Sequence, residues 1–104
     1  MKTISVDELK ELKDNGTDFQ LIDVREPQEY EQAEIGGELI SLGTIPQNID
    51  KIDKNKQVVV HCRSGKRSAN AIAFLEQHGF QNLYNLEGGI LAWRDEIDNS
   101  LDVS

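Results

Sequence analysis

Cys62 is the only cysteine in a chain of 104 residues, and it opens the hexad Cys62, Arg63, Ser64, Gly65, Lys66, Arg67. These residue types at this spacing suit a thiolate nucleophile. A thiol attacks only as its anion, and a reference value of ~8.5 leaves little thiolate at neutral pH unless the surroundings favour it. Arg63, Lys66 and Arg67 place three cations beside Cys62. Gly65 can take the positive φ that curls a short loop, so that its amides point inward as an anion-binding nest. A lone cysteine behind a valine run is otherwise commonly buried filler. Filler does not call for a glycine and three cations within five residues of a strongly acidic chain. Cys62 is therefore expected to be the catalytic nucleophile, with Arg63, Ser64, Gly65, Lys66 and Arg67 as its anion-binding loop.

The loop needs an element on each side to hold it. Val58, Val59 and Val60 are β-branched and consecutive, so Gln57 to His61 reads as a buried strand. Ala69, Ile72, Ala73 and Leu75 recur at helical spacing, and the helix is expected over Ser68 to His78 with Gly79 as its cap. Cys62 thus sits where a strand hands over to a helix, and backbone N–H groups there lack intrahelical partners while the helix dipole adds positive potential.

Elsewhere strands and helices alternate. Ser5 and Glu8 have capping-box spacing ahead of Val6, Leu9 and Leu12, which predicts a short helix ending near Asn15 and Gly16. Phe19 to Val24 reads as a strand, and Pro27 suits the first position of a second helix. Gly36 and Gly37 turn the chain into an extended piece, after which "TIPQNIDKI" predicts one more helical passage with Pro46 near its start. "NLYNL" is a strand and "GGILAWRDEI" opens a last helix. Such alternation requires crossovers and predicts an α/β domain, a parallel sheet with helices on both faces and the working site beyond the carboxyl ends of the strands. Arg25 and Glu26, Cys62 to Arg67, and Glu87 to Gly89 all leave such ends.

The bulk composition fits residues 1–104 as one domain. Nineteen acidic against eleven basic residues give a net charge of -8, which argues against nucleic acid and anionic membrane as partners. A single cysteine excludes an internal disulfide and a cysteine-rich zinc site, and neither a metal-ligand cluster nor a cofactor fingerprint is present. The Met-Lys-Thr-Ile start lacks the apolar core of a signal peptide, so the expected location is cytoplasmic.

Two reactions suit a thiolate in an anion cradle, attack on a phosphate ester and acceptance of a sulfur atom. A cysteine phosphatase carries His-Cys-x-x-Gly-x-x-Arg, whose arginine forks two phosphate oxygens. Here that position is Ser68, and Arg67 comes one residue early. The cradle is one residue shorter than phosphate needs and of a size for one extra sulfur on Cys62.

"ISVDEL", "LIDVREPQEYE", "VVVHCRSGKRS" and "GFQNLYNLEGGILAW", in this order and spacing, resemble the rhodanese family of sulfurtransferases over nearly the whole chain. The resemblance implies a three-layer α/β/α domain with a central, mainly parallel sheet and a six-residue active-site loop from Cys62 to Arg67. It also implies that Cys62 takes a sulfane sulfur from a small donor such as thiosulfate. The resulting persulfide then passes its sulfur to a thiophilic acceptor such as cyanide, a thiol or a sulfur-carrier protein. Where many members have Gly-His-Ile-Pro-Gly-Ala, this chain has "AEIGGELISLG", which resembles rhodanese domains fused behind enzymes that adenylylate sulfur carriers. A non-catalytic persulfide carrier is the alternative from a different functional class.

Asp23 and Arg25 flank a strand end and can pair with each other or with the loop cations; a supporting, structural role is expected for both. His61 neighbours Cys62 on a strand, where adjacent side chains point to opposite faces, so it is expected to face away. Gly88 and Gly89 can approach the loop or turn the chain into the last helix. Trp93 is expected to pack in the core.

Overall fold

A strand with apolar residues on both faces has to be covered on both. The computed structural model describes residues 1–103 and shows how Val58 to Val60 are covered. Along β4 (Val58–His61), Val58 and Val60 pack with Ala71, Ile72 and Leu75 of α3 (Lys66–Glu76) on one face. On the other face Val59 joins Val6 and Leu9 of α1 (Val6–Asp14) and Ile90 and Trp93 of α4 (Gly89–Glu96). The result is three layers, helix, sheet, helix, with a core on each side of the sheet.

Among the described residues four more strands complete the sheet: β1 (Thr3–Ile4), β2 (Gln20–Asp23), β3 (Glu38–Leu39) and β5 (Leu83–Leu86). Their order is β1-β5-β4-β2-β3, and every neighbouring pair is parallel. The α/β class expected from alternation is the one observed. Because β5, β4 and β2 are neighbours and parallel, their carboxyl ends open side by side. The segments that leave them, from Glu87, Cys62 and Val24, are brought together by topology alone.

Local chemistry explains the boundaries. Ser5 and Glu8 form a reciprocal capping box at the start of α1. Pro27 stands at the first position of α2 (Pro27–Gln32), where its missing N–H costs nothing. The α3 helix starts at Lys66 rather than Ser68, because Gly65 is its N-cap. It ends at Glu76 rather than His78. The N–H groups of Gly79 and Phe80 then take the carbonyls of Glu76 and Leu75 at 3.2 and 3.3 Å, a Schellman closure. The single helical passage expected around Pro46 is two 3-10 turns, Leu42–Gln47 and Ile49–Lys51, and Pro46 lies late in the first. Tight bonds such as Asn48 N to Ile45 O and Ile52 N to Ile49 O close these turns. The β1 strand has no signature in the sequence, since two residues are too few to show a period.

Candidate active site

The chain leaves β4 at Cys62, whose neighbour His61 is in register with Asp23 of β2. Gly65, at φ 111°, then turns the backbone in the left-handed region into α3. This curl aims donors at sulfur: Gly65 N lies 3.1 Å and Ser68 N 3.4 Å from Cys62 Sγ, with Ser68 Oγ also at 3.4 Å. Cys62 is buried, at 1% exposure. Burial alone pushes the thiol up. Hydrogen bonds from the Ser68 hydroxyl and from the amides of Ser68, Gly65 and Ser64 outweigh it, and the net effect holds Cys62 below the ordinary thiol value.

Amides can converge on Sγ only if the loop's carbonyls turn elsewhere, and α4 takes two of them. Ile90 N donates to Cys62 O at 3.0 Å and Leu91 N to Arg63 O at 3.1 Å, using amides at the start of a helix that have no partner within it. The approach is possible because residue 89 is glycine. A Cβ there would stand 2.5 Å from Arg63 O and 2.6 Å from Cys62 O. Both roles considered for this glycine pair, approach to the loop and entry into α4, are therefore realised. On the other side, Asn85 of β5 donates from Nδ2 to Gly65 O at 3.1 Å and accepts from Ser68 Oγ at 2.6 Å.

The loop cations are differently placed. Arg63, Ser64 and Lys66 are exposed around the mouth. Arg67 forks onto Glu29 of α2, with Nη1–Oε1 at 2.7 Å and Nη2–Oε2 at 3.0 Å. The hydrogen bond from Arg67 outweighs the cost of partial burial and holds the Glu29 carboxyl down at about 2. The partner of a loop cation is thus Glu29 and not Asp23. Asp23 pairs instead with Arg25, which reaches it through Nε at 3.0 Å and Nη2 at 2.8 Å. The two are 0% and 2% exposed. Arg25 Nη2 also donates to Ala33 O at 2.7 Å, which ties the end of α2 to the sheet.

His61 is buried behind the loop, with Nδ1 3.4 Å from Cys62 O and Nε2 3.5 Å from Asp23 Oδ2. Burial holds its imidazole below the ordinary value in spite of the opposing pull of Asp23, and so favours the neutral ring. Trp93 packs in the core beside Ile90, as expected. Three residues that the sequence did not single out belong to the site: Ser68, Asn85 and Glu29. Ser68 stands at the place where the phosphatase pattern has arginine, and that position was a signal. Asn85 and Glu29 carried none, since both join the site only through tertiary contacts.

Among the described residues, no three His, Cys, Asp or Glu side chains come together as metal ligands. No helix there is long and apolar enough to cross a membrane. A cavity of 390 Å³ lined by Phe19, Gln20, Lys51 and Lys56 lies at the amino-terminal side of β2, away from Cys62.

Comparison with known proteins bears on this arrangement. The chain is 34% identical over 92 residues to the thiosulfate sulfurtransferase GlpE of Pseudomonas paraeruginosa, covering 88% of this chain and 82% of that one. It is 37% identical over 98 residues to a Mycobacterium tuberculosis protein named probable adenylyltransferase/sulfurtransferase MoeZ, covering 91% of this chain and 25% of that much longer one. The crystal structure of a rhodanese-like domain protein from Staphylococcus aureus superposes with a TM-score of 0.85 at 36% identity, over 100% of this chain and 99% of that one. The family model described as the rhodanese-like domain matches residues 5–96, from the cap of α1 to the end of α4. With that span including the sheet, the Cys62 loop and the glycine entry to α4, the chain belongs to the rhodanese-like family, and the two relatives above carry sulfurtransferase in their names.

Proposed function

We propose that the chain is a sulfurtransferase in which Cys62 accepts a sulfane sulfur as a persulfide and hands it to a thiophilic acceptor. The observation that carries this reading is the convergence of the Gly65 and Ser68 amides on one sulfur atom, within a loop of six residues. The Cys62 thiolate attacks the outer sulfur of a donor such as thiosulfate. A Cys62–sulfur bond forms, the donor's S–S bond breaks, and sulfite leaves with the electron pair. The negative charge now rests on the outer sulfur of the persulfide. An acceptor nucleophile such as cyanide or a thiol, including a thiol on a sulfur-carrier protein, then attacks that outer sulfur, the bond from Cys62 to the outer sulfur breaks, and Cys62 returns as thiolate.

The site's electrostatics support an anionic ligand. Lys66 and Arg67 occupy the first turn of α3, where cations oppose the helix dipole. Negative charge at the loop relieves that opposition, and Arg67 is itself favoured by the Cys62 charge after its bond to Glu29. Arg63, Ser64 and Lys66 at the mouth suit capture of a small anionic donor, and Gly65 shapes the cradle. Asp23 and Arg25 support it from behind by anchoring α2, which carries Glu29. Likeness to the protein named thiosulfate sulfurtransferase supports thiosulfate as donor. The segment from Ala33 to Gly43, which resembles rhodanese domains fused to enzymes that adenylylate sulfur carriers, supports a carrier protein as acceptor, in line with the likeness to a protein named adenylyltransferase/sulfurtransferase. A cytoplasmic setting, which keeps a lone thiol reduced, suits the reaction.

Steady-state turnover tests the enzyme reading. Thiocyanate should accumulate over many cycles per Cys62 when thiosulfate and cyanide are supplied. A single equivalent followed by arrest would mark a carrier. Hydrolysis of an aryl phosphate through Cys62 at a comparable rate would overturn the reading in favour of a phosphatase.

A further inference from the structure

The Ser68 hydroxyl has one hydrogen and two neighbours able to accept it. Asn85 Oδ1 is 2.6 Å from Ser68 Oγ, and Cys62 Sγ is 3.4 Å from it. The orientation of the Asn85 carboxamide is fixed by its other end. Nδ2 donates to Gly65 O at 3.1 Å, and a flipped amide would set two oxygens against each other there. Oδ1 must therefore face Ser68. Asn85 is held by backbone on both of its sides, paired with Val60 of β4 and with Thr3 of β1. Ser68 is fully buried, so no water competes for its hydrogen.

We propose that Ser68 and Asn85 form a two-position proton switch that follows the charge on Cys62. Ser68 gives its hydrogen to Asn85 Oδ1 when Sγ is neutral and turns it to Sγ when Sγ is an anion. Asn85, which does not touch sulfur, is the positioning residue. The inference rests on Cys62 being the sulfur acceptor. In the thiolate the charge lies on Sγ, and a charge-assisted bond outcompetes the neutral one to Asn85. Once the donor's sulfur has been taken, the charge moves to the outer sulfur and Sγ becomes a neutral sulfide. The hydrogen then returns to Asn85, and the inner sulfur is left with its amide partners. Asn85 thus makes the thiolate less stable than Ser68 alone would, and favours passage of charge to the outer sulfur.

A mutant cycle tests this, and Cys62 being the only thiol makes it clean. The rate of alkylation by iodoacetamide is measured against pH in wild type, Asn85→Leu, Ser68→Ala and the double variant. No substitution changes charge, so the effects of Arg63, Lys66, Arg67, Glu29, Asp23 and His61 stay constant across the cycle. Asn85→Leu leaves the Ser68 hydrogen a single acceptor, and the alkylation midpoint should fall by about half a pH unit to one unit. In the Ser68→Ala background, where only the Nδ2 contact to Gly65 O is lost, Asn85→Leu should not lower the midpoint. An unchanged midpoint in Asn85→Leu, or an equal shift in both backgrounds, overturns the switch. Should Asn85→Leu fail to fold, wild type and Ser68→Ala suffice. The Asn85 carboxamide resonances should titrate with the alkylation midpoint in wild type and lose that dependence without the hydroxyl; equal titration in both refutes the switch. Alkylation requires no sulfur donor, so its outcome is independent of whether the protein transfers sulfur.

Discussion

Glu29 and Arg67 meet through both carboxylate oxygens and the two terminal guanidinium nitrogens, at 2.7 and 3.0 Å, and this pair ties α2 to the first turn of α3. It occupies one of the loop's three cations and fixes the helix that follows Cys62. The carboxyl is held at about 2 against an ordinary 4.5. A depressed acid stabilises the fold above its unfolded value and loses that contribution as pH falls through the folded one. Wild type should therefore lose stability between about pH 4.5 and 2 relative to Glu29→Gln, measured by urea midpoints. Parallel pH profiles would contradict the pairing.

His61 governs a higher pH window. Burial lowers its folded value, whereas the unfolded chain takes up a proton near 6.5. The unfolded state then binds more protons, so stability rises with pH and falls as the pH drops below 6.5. His61→Gln should flatten the stability profile between neutrality and the window set by Glu29. A profile as steep as that of wild type would show that His61 is not the group responsible.

Gly89 is where packing and chemistry meet. Gly89→Ala puts a methyl group 2.5 Å from Arg63 O, and backbone cannot yield as a flexible side chain does. The variant should lose about 1–3 kcal/mol of stability. Sulfur transfer should fall by roughly a hundredfold, because the amides of Gly65 and Ser68 no longer converge on Sγ. Equal activity and an unchanged Tm would show that α4 does not hold the loop.

Arg25 and Asp23 have no water to fall back on. Arg25→Met leaves the Asp23 carboxylate buried and uncompensated, which should cost about 3–5 kcal/mol. The double variant with Asp23→Asn should be more stable than Arg25→Met alone. Additive losses in chemical denaturation would refute direct pairing.

The parts of this fold that were legible in the sequence are those written in local order. The capping box of Ser5 and Glu8, Pro27 at a helix start, the valine strand and the hexad behind it all sit within a few residues of their partners. The positive φ of Gly65 could be inferred because the loop's purpose demands it. What escaped was set by distance along the chain. Glu29 lies 38 residues from Arg67 and Asn85 17 from Ser68, so no spacing rule connects them. The short β1 strand exists only because β5 offers it an edge, and Pro46 reads as a helix start when the packing of Ile45 under α3 makes it part of a 3-10 turn.

The central claim, that sulfur is carried on Cys62, is tested most directly by the intact mass of the protein after thiosulfate treatment. Wild type should gain the mass of one sulfur atom and lose it again on adding cyanide. Cys62→Ser, which keeps the size of the side chain without the thiolate, should keep its fold and gain nothing. A cyanide-sensitive sulfur on Cys62→Ser, or no added sulfur on folded, reduced wild type across a range of donors, would contradict the account.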